Sequence, residues 1–209
     1  MKPRALPPEL SGAIDPNGGF LCMTVHWRPQ RGAPTPEMPG EKLSMSSYLR
    51  RAPATPCLCG SGRLYRTCCR PQRYWRPVCP NPDMAGYSLV APQTATFAPV
   101  DGAPLRERLM AEKRLHCVDT SLPSSFWLFW GAPPVQNPYG ILCFGDVELK
   151  DNTTLLLTAM SDMRMQMLLA VLHECAGEYL GAPRLSYDPV PLIDKQTGKL
   201  VSRARGRQR

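Results

Sequence analysis

Four cysteines within thirteen residues constrain this chain more than any other feature: Pro56-Cys57-Leu58-Cys59-Gly60-Ser61-Gly62-Arg63-Leu64-Tyr65-Arg66-Thr67-Cys68-Cys69 is a C-x-C-x8-C-C array. Neighbouring Cα atoms sit ~3.8 Å apart across a trans peptide, short of the roughly 4.4–6.8 Å of an ordinary disulfide, so Cys68 and Cys69 are poor partners for each other. Two close pairs of thiolates can instead surround one Zn²⁺ tetrahedrally at about 2.3 Å, provided the segment between them folds back. Gly60-Ser61-Gly62 supplies the turn, because glycine reaches positive φ without a Cβ clash and its exposed N–H groups can stabilise thiolate charge. The stretch from Arg63 to Cys68 is long enough for a helical turn that presents the second pair. The spacing therefore predicts a zinc site made by Cys57, Cys59, Cys68 and Cys69, against the alternatives of a disulfide pair or four unrelated buried thiols. A phosphate cradle at Gly60-Ser61-Gly62 is not supported, since the longer glycine spacing and the Lys-Ser/Thr ending of a P-loop are missing.

The surroundings of this array resemble the SEC-C motif, best known from the C-terminus of the bacterial translocase motor SecA. The likeness rests on Pro56, the four cysteines, Gly60-Ser61-Gly62 and Tyr65, and covers residues 56–69. It implies that all four cysteines bind zinc and that the motif docks a partner, as SecA's tail does with the chaperone SecB and with ribosomes. The chain departs from the pattern at Leu58, often proline, and at Arg70-Pro71, where glycine is common; neither change removes a ligand. A motor is excluded, because 209 residues without a Walker A sequence cannot house such an ATPase. SEC-C motifs also occur in many bacterial proteins of uncharacterised role, and it is such a SEC-C motif-containing protein that the motif resembles most.

Charge is informative by segment. Residues 43–82 contain seven arginines and no acidic residue, residues 83–194 carry thirteen acidic side chains against seven basic ones, and six further basic residues follow Asp194. Four thiolates around one dication leave a local charge of −2, so the zinc-bound chain stays basic overall. Arg63, Tyr65, Arg66, Arg70 and Arg73 are the candidate partner-binding residues. They suit an acidic protein surface or, with Tyr48, Tyr74 and Trp75 as stacking platforms, RNA or the ribosome. The plain alternative is that the arginines merely solubilise a proline-rich segment.

Organisation follows the prolines and the apolar pattern. Eight of the 24 prolines fall in residues 1–50, which are expected to be disordered, with Met45 a possible alternative start. Residues 51–70 form the knuckle and residues 71–83 read as a linker, too dense in proline for a central strand. Residues 84–192 read as an α+β core, and residues 193–209 as a basic, disordered tail. Within the core, 86–91 and 94–100 are candidate strands, and Pro104 opens a helix running through Cys117. The aromatic run Phe126-Trp127-Leu128-Phe129-Trp130 suits a strand covered on both faces. Segments 141–149 and 154–160 form a hairpin around Lys150-Asp151-Asn152-Thr153. A helix follows, capped by Ser161, with Met163, Met167, Leu168, Val171, Leu172, Cys175 and Tyr179 as its apolar face. The fold class is thus α+β: a small zinc knuckle plus a compact hairpin-and-helix core.

Catalytic constellations are missing. Only His26, His116 and His173 exist, His173-Glu174 lacks the second histidine of an H-E-x-x-H helix, and no G-x-S-x-G elbow is present. His116-Cys117 has no further ligand at a recognisable spacing, so a structural histidine is expected there. A four-thiolate centre leaves no open position for a substrate water, which makes the expected metal structural. No enzyme and no small-molecule substrate are expected. No stretch of about 18 apolar residues and no signal-peptide pattern occur, so no membrane insertion is expected, and irregularly spaced cysteines outside the array fit a reducing cytoplasm.

Overall fold

Strands dominate the computed structural model, in which the described residues form two antiparallel-rich sheets and two α-helices. The structure describes residues 4–5, 20–28, 41–49 and 51–203, except 121, 132 and 138. Two units are delimited: residues 1–24, 44–91 and 188–209 form one, and residues 25–43 and 92–187 the other. The α+β class is as expected. No helix among the described residues is long and apolar enough to cross a membrane.

The first unit holds β1 (Arg4–Ala5), the start of β2 (Phe20–Arg28), β4 (Tyr74–Pro80), β5 (Tyr87–Leu89), β14 (Val190–Asp194) and β15 (Lys199–Arg203). Strand order runs β1-β15-β14-β4-β2, with β5 also on β4; β3 (Glu41–Tyr48) pairs with β2. Phe20 and Cys22 face one side, where they pack with Tyr65 and Val78, while Leu21 between them packs with Trp75 and Ile193 on the other.

Three segments contain strands that their proline content or basic charge does not announce. Part of residues 1–50 is ordered strand, because the apolar run beginning Phe20-Leu21-Cys22 is covered on both faces and so shows no alternation. The remaining residues of that segment lie outside those described. The proposed linker 71–83 contains β4, whose Trp75, Val78 and Cys79 are buried. Pro77 stands opposite Leu21 of β2 and its carbonyl accepts from the Val90 amide at 2.9 Å, on the edge of β4 where the neighbour passes from β14 (at Tyr74 and Trp75) to β5 (from Val78). The basic tail likewise begins as β15, antiparallel to β14, and residues 204–209 lie outside the described set.

The second unit is built on a six-stranded sheet ordered β13-β6-β12-β11-β8-β7. Its members are β6 (Gln93–Phe97), β7 (Leu115–Asp119), β8 (Ser125–Phe129), β11 (Gly145–Lys150), β12 (Thr154–Ala159) and β13 (Arg184–Tyr187). Residues 25–27 at the end of β2 pair with β10 (Gly140–Cys143), which also pairs with β9 (Gln136–Asn137). The expected hairpin joins β11 to β12 through Asp151 and Asn152, at φ 50° and 56°, a left-handed conformation that these two residue types tolerate. Trp127, Phe129, Val147, Leu149, Leu155 and Leu157 point to one face and pack on the helices α1 (Gly102–Ala111) and α2 (Asp162–Ala176). Phe126, Leu128 and Trp130 face the other way, beside Trp27, Val118 and Cys143.

Ser161 caps α2 as expected, its hydroxyl accepting from the Arg164 amide at 3.3 Å. Leu168, Val171 and Leu172 are buried as expected and Met167, Cys175 and Tyr179 pack partly buried against the core, whereas Met163 is exposed and Arg164, Met165 and Ala176 complete the buried face. Arg164 can be inside because its guanidinium lies 5.1 Å from the Phe144 ring centre and donates to the Cys143 carbonyl at 3.4 Å. The first helix stops at Ala111, before Cys117, because Arg114 folds back onto Glu112 in a 2.8 Å ion pair and Leu115–Asp119 joins the sheet. His116 accordingly sits on a strand, stacked on Trp130 at 4.1 Å.

Gly102 opens α1 against the hairpin turn, and a Cβ there would lie 2.4 Å from the Asn152 carbonyl oxygen. Helix propensity alone favours alanine by about 1 kcal/mol. The backbone clash reverses that sign, so Gly102→Ala is expected to destabilise the second unit by about 1–3 kcal/mol, read as a lowered urea midpoint. A neutral or stabilising result would show that the turn yields freely.

Candidate metal centre

Short-range hydrogen bonds fold residues 55–70 into a knuckle. Pro56 and Leu64 form an antiparallel bridge, the Cys57 amide donates to the Arg63 carbonyl at 2.9 Å, and the Tyr65 amide donates to the Thr55 carbonyl at 2.8 Å. Between these strips the chain reverses through Gly60 and Gly62, at φ 74° and 71°. Space is open around both glycines, so it is the backbone angle that calls for them. A 3-10 turn at Tyr65–Thr67 then delivers Cys68 and Cys69, with the Cys68 amide donating to the Tyr65 carbonyl at 3.2 Å.

The result brings the thiols of Cys57, Cys59, Cys68 and Cys69 within 4.8 Å of one another. Cys57, Cys68 and Cys69 are buried and Cys59 is half-buried. Cys59 and Cys68 have their sulfurs 3.4 Å apart, and the Ser61 Oγ lies 3.2 Å from the first and 3.1 Å from the second, tying the two pairs together. Burial works against a thiolate at Cys59, but the Ser61 hydroxyl and amide, with the Cys68 and Cys57 thiols, outweigh it and bring its pKa to about 6. Burial pushes the Cys57 thiol up, and it pushes Cys69 up further, where charge on the neighbouring sulfurs adds to the effect. The donor set fits a soft dication: four sulfurs converge, no carboxylate among the described residues joins them, and a cation would relieve the crowding of negative charge.

A knuckle with four converging thiols belongs to the class of cysteine metal knuckles and is compatible with zinc binding. Residues 55–71 match the family model of the SEC-C motif, a zinc-binding module rather than a catalytic family. Searches of curated proteins and of solved structures give no match to the chain.

The other sequence candidates divide. Arg63, Arg66, Arg70 and Arg73 are exposed around the knuckle. Arg73 also pairs with the Asp194 carboxylate at 2.7 Å and lies over the Tyr74 ring. Tyr65 must be removed from the partner-binding set: it is 2% exposed and stacks on Phe20 at 5.3 Å, holding the knuckle to the sheet. Trp75 is buried as well.

Arg76 and Lys195 emerge only in three dimensions. Arg76 on β4 points Nη1 to the Cys69 Sγ at 3.9 Å, and Lys195 donates from Nζ to the Arg70 carbonyl at 2.9 Å. Neither lies in the motif, so no local spacing reveals them. A groove of about 350 Å³ opens beside Cys59 and Cys68, lined by Ser61, Arg63, Gln72, Tyr74, Arg76 and Leu192.

Proposed function

We propose that this chain is a non-enzymatic, cytoplasmic zinc protein in which Cys57, Cys59, Cys68 and Cys69 hold a structural Zn²⁺ and the surrounding arginines dock an acidic protein partner. The observation that carries this reading is the exposure of Arg63, Arg66 and Arg70 on the knuckle, in a stretch from 43 to 82 that holds no acidic residue. Charges displayed on a rigid scaffold steer a complementary surface and set its register. Zinc supplies the rigidity here, since a closed four-sulfur shell offers no position for reaction chemistry. Burial of Tyr65 and Trp75 favours a protein partner over single-stranded nucleic acid, because neither ring can stack on a base.

The test is affinity capture with the zinc-loaded chain from bacterial extract, with and without ribonuclease, followed by the triple change Arg63→Glu, Arg66→Glu, Arg70→Glu. Capture of an acidic protein should survive ribonuclease and weaken by at least about tenfold in the triple variant at unchanged zinc content. Loss of capture on ribonuclease treatment, with affinity falling steeply as salt rises, would overturn this reading in favour of RNA or the ribosome.

A further inference from the structure

Four thiolates around a dication carry a net −2, and three of the four cysteines here are withdrawn from water. Burying such charge is costly unless cations or hydrogen bonds offset it. The knuckle supplies some of this itself, through the Ser61 hydroxyl between Cys59 and Cys68. For Cys69 the compensation comes from the sheet instead. Arg76 stands on β4 opposite Phe20 of β2, in the register that also seats Tyr65 against Phe20, and this places its guanidinium 3.9 Å from the Cys69 sulfur. Arg76 is half-buried, so the attraction is screened less than at an open surface.

A second cation is fixed nearby by the turn after β14. The Asp194 carboxylate accepts from the amides of Gln196 and Thr197 at 2.9 and 3.0 Å, shaping the turn, and the Lys195 amide donates to the Arg73 carbonyl at 3.1 Å. The Lys195 ammonium is thereby held on the carbonyl of Arg70, the residue that follows Cys69. Both cations lie outside residues 55–71, the extent of the motif.

We infer that Arg76 is a positioning residue of the metal centre, the cation that the sheet sets beside the Cys69 sulfur, so that the first unit's sheet is part of the zinc site. The inference rests on the zinc reading above. Outer-sphere partners of metal ligands typically change affinity by about 10–100-fold when removed.

The experiment is zinc competition against a chromophoric chelator, using the full chain and its variants Arg76→Met, Arg76→Lys and Lys199→Met. Arg76→Met should bind zinc about 10–100-fold more weakly, and Arg76→Lys should recover most of that loss. Lys199→Met removes an exposed charge of the same unit, on β15, and should stay within about twofold of the parent. Near-UV circular dichroism of the zinc-loaded proteins checks that the sheet is intact. Arg76→Gln takes the place of Arg76→Met if the methionine variant does not fold. Parent-like affinity in the folded Arg76 variants, or an equal loss in Lys199→Met, overturns the inference while leaving the zinc reading standing. A parent chain that takes up no zinc overturns both.

Discussion

Replacing Cys68 and Cys69 together by serine is expected to reduce bound zinc from one ion per chain to none and to unfold the first unit's knuckle. Structural zinc in small cysteine sites is worth on the order of 10 kcal/mol of apparent folding free energy near neutral pH, because the site does not exist in the unfolded chain. Little else would hold this region. The buried cluster around it consists of Phe20, Cys22, Tyr65 and Val78 together with three of the ligand thiols themselves. Without metal those thiols are polar groups crowded on one another, and the Tyr65–Phe20 stack loses the turn that presents it. The second unit has its own core, formed by the sheet residues and both helices, and its unfolding should not move. Metal analysis and urea unfolding, with near-UV circular dichroism for each transition, read out both halves of the prediction. A double variant that retains zinc, or one that loses zinc with no change in the first unit, would sink it.

The other large effect is expected at Trp127. Its side chain is wholly buried, and its strand β8 lies between β7 and β11, with Cys117 and Val147 as register partners. Trp127→Ala removes the largest of the fully buried side chains from the core that α1 and α2 cover. Truncations of this kind cost about 3–5 kcal/mol, the lost transfer energy being joined by that of an incompletely collapsed cavity. Urea denaturation should show the second unit weakened by that amount while zinc stoichiometry stays at one. A loss below about 1 kcal/mol would mean that the sheet repacks around the hole and that Trp127 is not central to it.

What could be read directly from residue order was whatever depends on near neighbours. The C-x-C-x8-C-C spacing with two glycines at its turn is local, and the knuckle closes through hydrogen bonds spanning only a few residues. The hairpin around Asp151-Asn152 and the Ser161 cap are local in the same sense, and both stand where expected. On α2 the leucines and Val171 were legible, but among the methionines residue type does not say which one packs, and the fold buried Met165 and left Met163 exposed. Prolines misled at β4 because the rule against proline in a central strand assumes one continuous neighbour, and here the neighbour changes at Pro77. Composition averaged over residues 1–50 hid the nine-residue strand β2, whose two covered faces leave no alternation to detect.

The opening array therefore determined by itself which atoms can meet a metal and how the chain turns to bring them together, because the geometry of thirteen residues is decided by their own backbone. Tertiary structure decided what surrounds those atoms. Tyr65 became the anchor on Phe20, and Arg76 became the cation beside Cys69, through a parallel pairing of β2 with β4 that joins residues more than fifty positions apart. Charge compensation and burial depend on distance in space, and for partners so far apart in the chain only the folded sheet sets that distance.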